Sequence, residues 1–124
     1  MASPDDALTR FLRGFAHASR GFALALRTQR NMRVHAAVLM AVVLAGLVFR
    51  IAVWEWCVIG LASGMVLAAE LLNSAIERLA DRVSRETEDA IRDVKDMAAG
   101  AVLAASVAAA AAGAWIFLPR LLVL

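Results

Sequence analysis

The sequence predicts an all-α membrane protein with one amphipathic surface helix followed by three transmembrane helices. Of its 124 residues, 62% are hydrophobic and only 19% are charged, whereas apolar residues make up roughly half of a soluble protein. The charges lie between long apolar windows, and about 20 apolar residues in a helix cross a bilayer. The chain is short enough for a single domain, which we assign to residues 1–124.

The first element is an amphipathic helix predicted over residues 6–29. At about 100° per residue its apolar and basic side chains fall on opposite faces, a pattern typical of helices that lie in the membrane interface. The apolar face consists of Leu8, Phe11, Leu12, Phe15, Phe22 and Leu26, and the polar face of Arg10, Arg13, His17, Arg20 and Arg27.

Three membrane spans follow, over residues 33–52, 55–81 and 95–119. The first is short, but arginines at its ends can extend towards the headgroups. The last contains the uncharged run AAGAVLAASVAAAAAGAWIFL. Small residues such as Gly60 and Gly64 allow close helix approach in lipid, so we expect a homo-oligomer whose stoichiometry this pattern does not specify. Cys57 is the only cysteine, so no internal disulfide forms.

The basic residues predict the orientation. They precede the first span or lie in the 82–96 loop, whereas the other connection and the C-terminal end carry few. By the positive-inside rule the N-terminus and the 82–96 loop are cytoplasmic and the C-terminus is outside. We interpret these basic residues as groups that orient the protein and contact anionic lipid, and not as a nucleic-acid binding surface. They are Arg10, Arg13, Arg20, Arg27, Arg30, Arg33, Arg82, Arg85, Arg92 and Lys95.

Polar residues form one stripe on the second span, although this segment begins apolar. At about 100° per residue they all lie within about 60° of Glu70. Charged groups in a membrane segment usually face a bundle interior or a pathway and indicate a functional site. The alternative, strongest for Asp81, is that the helix has already reached the headgroups. The stripe consists of Glu70, Asn73, Ser74, Glu77 and Asp81.

These side chains suit phosphoryl transfer to a lipid alcohol. Carboxylate and amide oxygens bind Mg²⁺, which usually accompanies phosphates, and a carboxylate at the interface can accept a hydroxyl proton. Lys95 can neutralise the charge of a phosphate group, and Asp96 can hold Lys95 in place or add to a metal site. The sequence has no Walker A motif, kinase glycine-rich loop or Rossmann fingerprint.

Three segments together resemble the small membrane lipid kinases of bacteria, the prokaryotic diacylglycerol kinase and undecaprenol kinase family. They are RNMRVH at 30–35, ELLNSAIE at 70–77 followed by Asp81, and KDMAAGAVL at 95–103, and the resemblance covers nearly the whole chain. It implies a homotrimer in the bacterial plasma membrane, with active sites between subunits at the cytoplasmic face. There the γ-phosphoryl group of MgATP passes directly to a lipid hydroxyl.

The resemblance also implies roles for individual residues. Glu70 is the expected general base and binds the lipid together with Ser74 and His35. The nucleotide is expected to contact Arg10, His17, Gln29, Asn73, Glu77, Lys95 and Asp96.

Gln29 departs from the family pattern, in which many members carry a glutamate that shares the metal with the equivalent of Glu77. Glutamine keeps a carbonyl oxygen but lacks the negative charge. Gln29 then coordinates more weakly, or Asp81 or Asp96 compensates, or Mg²⁺ depends more on ATP.

Two questions stay open from the sequence. The lipid is undecaprenol or diacylglycerol, giving undecaprenyl phosphate or phosphatidic acid, and the RNMRVH form favours undecaprenol. The alternative function is a small proton-coupled exporter that uses Glu70. Three spans and a polar stripe at one end of the membrane fit an exporter less well, and a purely structural subunit leaves Glu70 unexplained.

Overall fold

Four helices make up the fold in the computed structural model, which describes residues 4–84 and 88–124, with side chains from Asp6 onwards. Arg85 of the predicted basic loop lies outside the described residues. Three of the helices are long and apolar enough to cross a membrane, which confirms the predicted fold class. The helices are α1 (Pro4–Thr28), α2 (Arg30–Phe49), α3 (Val53–Val83) and α4 (Asp89–Leu122).

Helix α1 has an apolar face that no other part of the described chain covers. From Asp6 to Phe22 every side chain is exposed, including Phe11 and Phe15, whose rings stack edge to face with centroids 5.1 Å apart. Burial begins only near the C-terminal end, where Ala25 is 6% exposed. An uncovered apolar face opposite a basic one is the arrangement of a helix that lies on a membrane surface.

The connection between α2 and α3 lies earlier in the chain than predicted, at residues 50–52. The first span was expected to reach residue 52, but α2 ends at Phe49 because Arg50 adopts a left-handed conformation (φ 50°, ψ 53°). The N–H of Ile51 then donates to the Gly46 carbonyl oxygen at 3.1 Å, which closes the helix as a left-handed cap usually does. Helix α3 begins directly afterwards, with the Ala52 N–H donating to Glu55 Oε1 at 3.1 Å.

The predicted 82–96 loop is mostly helical. Helix α3 continues to Val83 and α4 already begins at Asp89. At about 1.5 Å per residue, these helices of 31 and 34 residues are about 46 and 51 Å long, more than the hydrocarbon core of a bilayer. Their ends therefore project beyond it. They remain paired there, because Lys95 Nζ of α4 lies 2.6 Å from Asp81 Oδ1 of α3.

Helix α3 lies at the centre of the bundle and packs antiparallel to α4 along its length. Ile51, Ile59 and Ile116 form a small core at the end opposite Lys95. Helix α2 packs on α3 at the same end, where the Trp56 ring lies against Gly46. A Cβ atom on Gly46 would be 2.5 Å from Trp56 Cη2, so glycine is needed for this close approach.

Candidate active site

Glu70 is the most deeply buried charged side chain among the described residues, with 1% of its surface exposed. Its Oε2 atom lies 3.5 Å from His35 Nε2 on α2, which is longer than a hydrogen bond. Within the described residues Oε2 has no hydrogen-bond partner. A buried carboxylate oxygen with an open acceptor position can receive a proton from a hydroxyl brought close to it.

Two further polar groups of the predicted stripe are buried beside Glu70 in the sequence. Asn73 is 6% and Ser74 is 5% exposed. Asn73 Oδ1 and Ser74 Oγ both lack a hydrogen-bond partner in the part of the chain described. Because an unpaired buried polar group costs about 1–3 kcal/mol, we expect these two oxygens to meet polar groups from outside the single chain.

Lys95 and Asp81 connect the site to α4. The ammonium group lies 2.6 Å from the Asp81 carboxylate, so Asp81 holds the lysine beside the stripe. Holding the lysine in place was the role considered for Asp96, whose side chain is exposed. Glu77 is half-buried and lies between Asn73 and Asp81 on the stripe. The structure therefore places Lys95 next to the turn of α3 that follows Glu77.

The joint between α1 and α2 adjoins the same part of α3. Gln29 is the N-cap of α2 in an extended conformation, its N–H donates to the Ala25 carbonyl oxygen at 2.8 Å, and its side chain is half-buried. Just before it, the Thr28 hydroxyl accepts a hydrogen bond from Arg78 Nη2 at 2.8 Å. Arg78 follows Glu77, so this bond brings the Gln29 joint to the turn of α3 that carries Glu77.

Arg10 and His17 are not brought to this site within one chain. Both are exposed on α1, and they lie about 28 and 18 Å from Gln29 along the helix axis at about 1.5 Å per residue. Arg10 Nε donates to the Asp6 carbonyl oxygen of its own helix at 3.1 Å. Their predicted contact with nucleotide depends on how α1 lies relative to the nucleotide or to another subunit.

An apolar cleft of about 460 Å³ ends at His35. It lies between α2, α3 and α4 because both outer helices pack on α3, and it falls within the size range of small-molecule sites. Ser106 is a polar group in its wall, and its Oγ has no hydrogen-bond partner among the described residues. The cleft is lined by His35, Val38, Leu39, Val42, Ile59, Ala62, Ser63, Val66, Leu67, Ser106, Ala109, Ala110, Ala112, Gly113, Ala114, Phe117 and Leu118.

The described residues do not form a complete protein metal centre. Within 4–84 and 88–124, no group of three or more His, Cys, Asp or Glu side chains is placed to hold a metal ion. The Glu77 carboxylate and the unpaired Asn73 Oδ1 are hard oxygen donors, the type that Mg²⁺ uses together with water and substrate phosphates. The donor chemistry therefore fits a Mg²⁺ ion that is held mainly by the nucleotide.

Besides the Lys95–Asp81 pair, two polar contacts were not anticipated from the sequence. One is the Arg78–Thr28 bond, and the other joins Arg120 to Glu55 at the opposite end of the bundle through two hydrogen bonds of 2.7 Å each. Arg50 is closer to Glu55 in the sequence, but the partner of Glu55 is Arg120 on α4. The sequence could have suggested this pair, because Glu55 and Arg120 are expected at the same membrane interface, where few other charged residues lie.

Comparison with known proteins identifies the family. Residues 16–117 match the sequence model of the prokaryotic diacylglycerol kinase family. The chain is 40% identical to an undecaprenol kinase of Bacillus subtilis over 114 residues, which cover 92% of this chain and 93% of that protein. It is 38% identical to a diacylglycerol kinase of Synechocystis over 109 residues, covering 87% of this chain and 62% of that protein. The chain therefore belongs to the prokaryotic diacylglycerol kinase family and is a membrane lipid kinase.

Proposed function

We propose that the enzyme transfers the γ-phosphoryl group of ATP to the hydroxyl group of undecaprenol at the cytoplasmic face of the bacterial plasma membrane, giving undecaprenyl phosphate and ADP. One observation carries this proposal. The buried Glu70 carboxylate has an open oxygen and lies 3.5 Å from His35, which stands at the end of an apolar cleft. An alcohol on a long apolar chain matches this combination.

In the proposed reaction Glu70 acts as the general base. Its Oε2 accepts the hydroxyl proton of the lipid while the lipid oxygen forms a bond to the γ-phosphorus and the bond to the bridging oxygen of ADP breaks. A positioned base of this kind contributes about 10²–10⁴-fold to a rate. A hydroxyl within reach of Oε2 also lies close to His35 Nε2, and Ser74 Oγ supplies a further unpaired polar group.

On the phosphate side the chain supplies a lysine and several oxygen donors. Lys95, held by Asp81 at 2.6 Å, neutralises charge on the transferring group. Glu77 and Asn73 would hold Mg²⁺, with Gln29 and Asp96 as the additional nucleotide contacts we propose from the family resemblance. Bound Mg²⁺ supplies electrostatic stabilisation of the phosphate oxygens.

Undecaprenol is the preferred acceptor for two reasons. The RNMRVH segment favours it, and the match extends over 93% of the undecaprenol kinase but only 62% of the diacylglycerol kinase. Diacylglycerol presents the same hydroxyl chemistry at the same depth and is the second candidate. The exporter alternative is not favoured, because the similar proteins are kinases.

We further propose that the working enzyme is a homotrimer, with the N-terminus on the cytoplasmic side and the C-terminus outside. The unpaired buried oxygens of Asn73 and Ser74 and the exposed positions of Arg10 and His17 support a site completed by other groups. Gly60 and Gly64 have no neighbour within 4 Å of an added Cβ atom in the single chain, so this face is open for another helix.

The test is phosphoryl transfer from labelled ATP to lipid alcohols by the purified enzyme in mixed micelles containing Mg²⁺. Equal mole fractions of undecaprenol, diacylglycerol and a straight-chain alcohol are compared. We expect the highest kcat/KM for undecaprenol. A higher value for diacylglycerol would assign the other acceptor, and no labelled lipid from a folded oligomer would refute the proposed reaction.

A further inference from the structure

Arg78 is a cation beside the proposed phosphate site for which neither the polar stripe nor the family resemblance suggested a role. It follows Glu77 in α3 and is exposed. At about 100° per residue it lies about 40° from Ser74 and about 100° from Glu77, on the edge of the stripe that faces the α1–α2 joint. Its Nη2 atom donates to Thr28 Oγ1 at 2.8 Å.

The Thr28 contact fixes Arg78 without neutralising it. A hydroxyl is an uncharged acceptor, and the same hydroxyl donates to the Leu24 carbonyl oxygen at 2.7 Å, so its orientation is set by α1. Among the described residues the carboxylates of Asp89, Asp81 and Glu55 form ion pairs with other cations, and the Glu70 carboxylate lies beside His35. Arg78 therefore keeps a full positive charge, and most of its five N–H donors stay available.

Lys95 differs from Arg78 in this respect, because it already pairs with Asp81 at 2.6 Å. A nucleotide polyphosphate on the stripe meets one lysine whose charge a carboxylate partly balances. The stripe itself contributes further negative charge through Glu77. The free cation on the other edge is the group best placed to offset this excess.

We propose that Arg78 binds the polyphosphate of the nucleotide, with Thr28 holding its guanidinium group in position. The polyphosphate then lies along the stripe between Lys95 on the α4 side and Arg78 on the side of the α1–α2 joint. A guanidinium group binds two phosphate oxygens at once, which an ammonium group does not. This inference rests on the proposed use of ATP and adds a residue that recognises it.

A purely structural role for Arg78 makes a different prediction. If the side chain only ties α1 to α3, removing the Thr28 hydroxyl has the same effect as removing Arg78. If Arg78 binds phosphate, the guanidinium group keeps most of its function without Thr28, and only its orientation is lost. Thr28→Val, which keeps the shape of threonine, separates the two roles.

The experiment measures kcat, the KM for MgATP and the KM for lipid in Arg78→Ala, Arg78→Lys, Thr28→Val and Arg82→Ala. Arg82→Ala is the matched control, because it removes an equal charge from an exposed position one turn further along α3. For Arg78→Ala we expect the KM for MgATP to rise about tenfold or more, the usual effect of losing a charged hydrogen bond. The KM for lipid stays unchanged, Arg78→Lys recovers part of the loss, and Thr28→Val gives a smaller rise.

The proposal is overturned if Arg78→Ala behaves like Arg82→Ala, or if Thr28→Val reproduces its whole effect. Should Arg78→Ala fail to fold, Arg78→Lys decides, since an unchanged KM for MgATP contradicts bidentate binding. Titration of the wild type and the variants with Mg²⁺ and a non-hydrolysable ATP analogue gives a reading independent of lipid. Loss of analogue affinity in Arg78→Ala supports the phosphate role even if the wild type phosphorylates no lipid tested, a result that counts against the proposed function alone.

Discussion

At the scale of single residues, Glu70 combines burial with a carboxylate oxygen that has no hydrogen bond among the described residues, and together these cost folding free energy. It is 1% exposed, and its Oε2 has no hydrogen bond within the described chain. A structural acid in such a place usually has its acceptor positions satisfied, as Glu55 does through Arg120 and the Ala52 N–H. The contrast between these two buried glutamates is why we assign the chemical step to Glu70.

Glu70→Gln tests this assignment. The amide keeps the size of the side chain but cannot accept the lipid proton, so we expect kcat to fall about 100-fold or more. Affinity for a non-hydrolysable ATP analogue should stay near the wild-type value, because in the proposed reaction Glu70 contacts the lipid and not the nucleotide. Glu88→Gln, at an exposed position, serves as the control. A Glu70→Gln enzyme with a near-normal rate would exclude Glu70 as the base.

The family resemblance leads us to expect a glutamate at position 29, where this chain carries Gln29. Gln29→Glu adds a carboxylate at the joint that Thr28 and Arg78 connect to the turn of Glu77. Because carboxylates bind Mg²⁺ better than amides, we expect the Mg²⁺ concentration for half-maximal activity to fall several-fold. Activity is titrated with Mg²⁺ at constant ATP, with Gln29→Asn as the uncharged control. An unchanged requirement would remove position 29 from the metal site.

At the scale of elements, the helices and the polar stripe were predictable, and the contacts between them were not. Hydropathy and the helical period depend on neighbours along the chain, so the positions of Glu70 to Asp81 on one face followed from spacing alone. The pairing of Lys95 with Asp81 and of Arg78 with Thr28 depends on how distant helices pack. Those contacts are set by the position of α3 between its neighbours, which periodicity does not encode.

The helix ends show the same division. The first span was predicted to reach residue 52, but the left-handed conformation of Arg50 ends it at Phe49. The prediction missed this end because hydropathy does not reveal a left-handed conformation in a residue other than glycine. The 82–96 segment reads as a loop because it is polar. It is largely helical because α3 and α4 continue to support each other outside the membrane, through contacts such as Lys95 with Asp81.

The Glu55–Arg120 pair holds the end of α4 against the start of α3. Glu55 is buried, and Arg120 Nη1 also donates to the Ile116 carbonyl oxygen at 2.6 Å. Removing one partner leaves a charge that has lost its counterion in an apolar setting, which is destabilising. We expect Arg120→Leu to lower the thermal midpoint of unfolding more than Arg82→Ala does, and Glu55→Gln with Arg120→Leu to recover part of the loss. Thermal unfolding in detergent measures both effects. A midpoint unchanged in Arg120→Leu would show that the pair contributes no stability.

At the scale of the whole molecule, the site depends on the way three helices are arranged. Because α2 and α4 both pack on α3, an apolar cleft of about 460 Å³ remains between them. Its His35 end adjoins Glu70, and its other end reaches Phe117. Glu70 thus adjoins the end of the apolar cleft, where we propose that the hydroxyl group of the lipid binds.

Substitutions in α4 distinguish the cleft from ordinary membrane-facing surface. Ala109 is half-buried and lines the cleft, whereas its neighbour Ala108 is exposed and does not. Ala109→Phe fills part of the space for the lipid tail about one turn beyond Ser106. We therefore expect kcat/KM for undecaprenol, measured against its mole fraction in micelles, to fall about tenfold or more. The KM for MgATP should not change, since we propose that the nucleotide binds on the other side of Glu70. Ala108→Phe adds the same ring on the lipid-facing side and should leave both constants near wild type. Equal effects of the two substitutions would show that the tail of the acceptor lies outside the cleft.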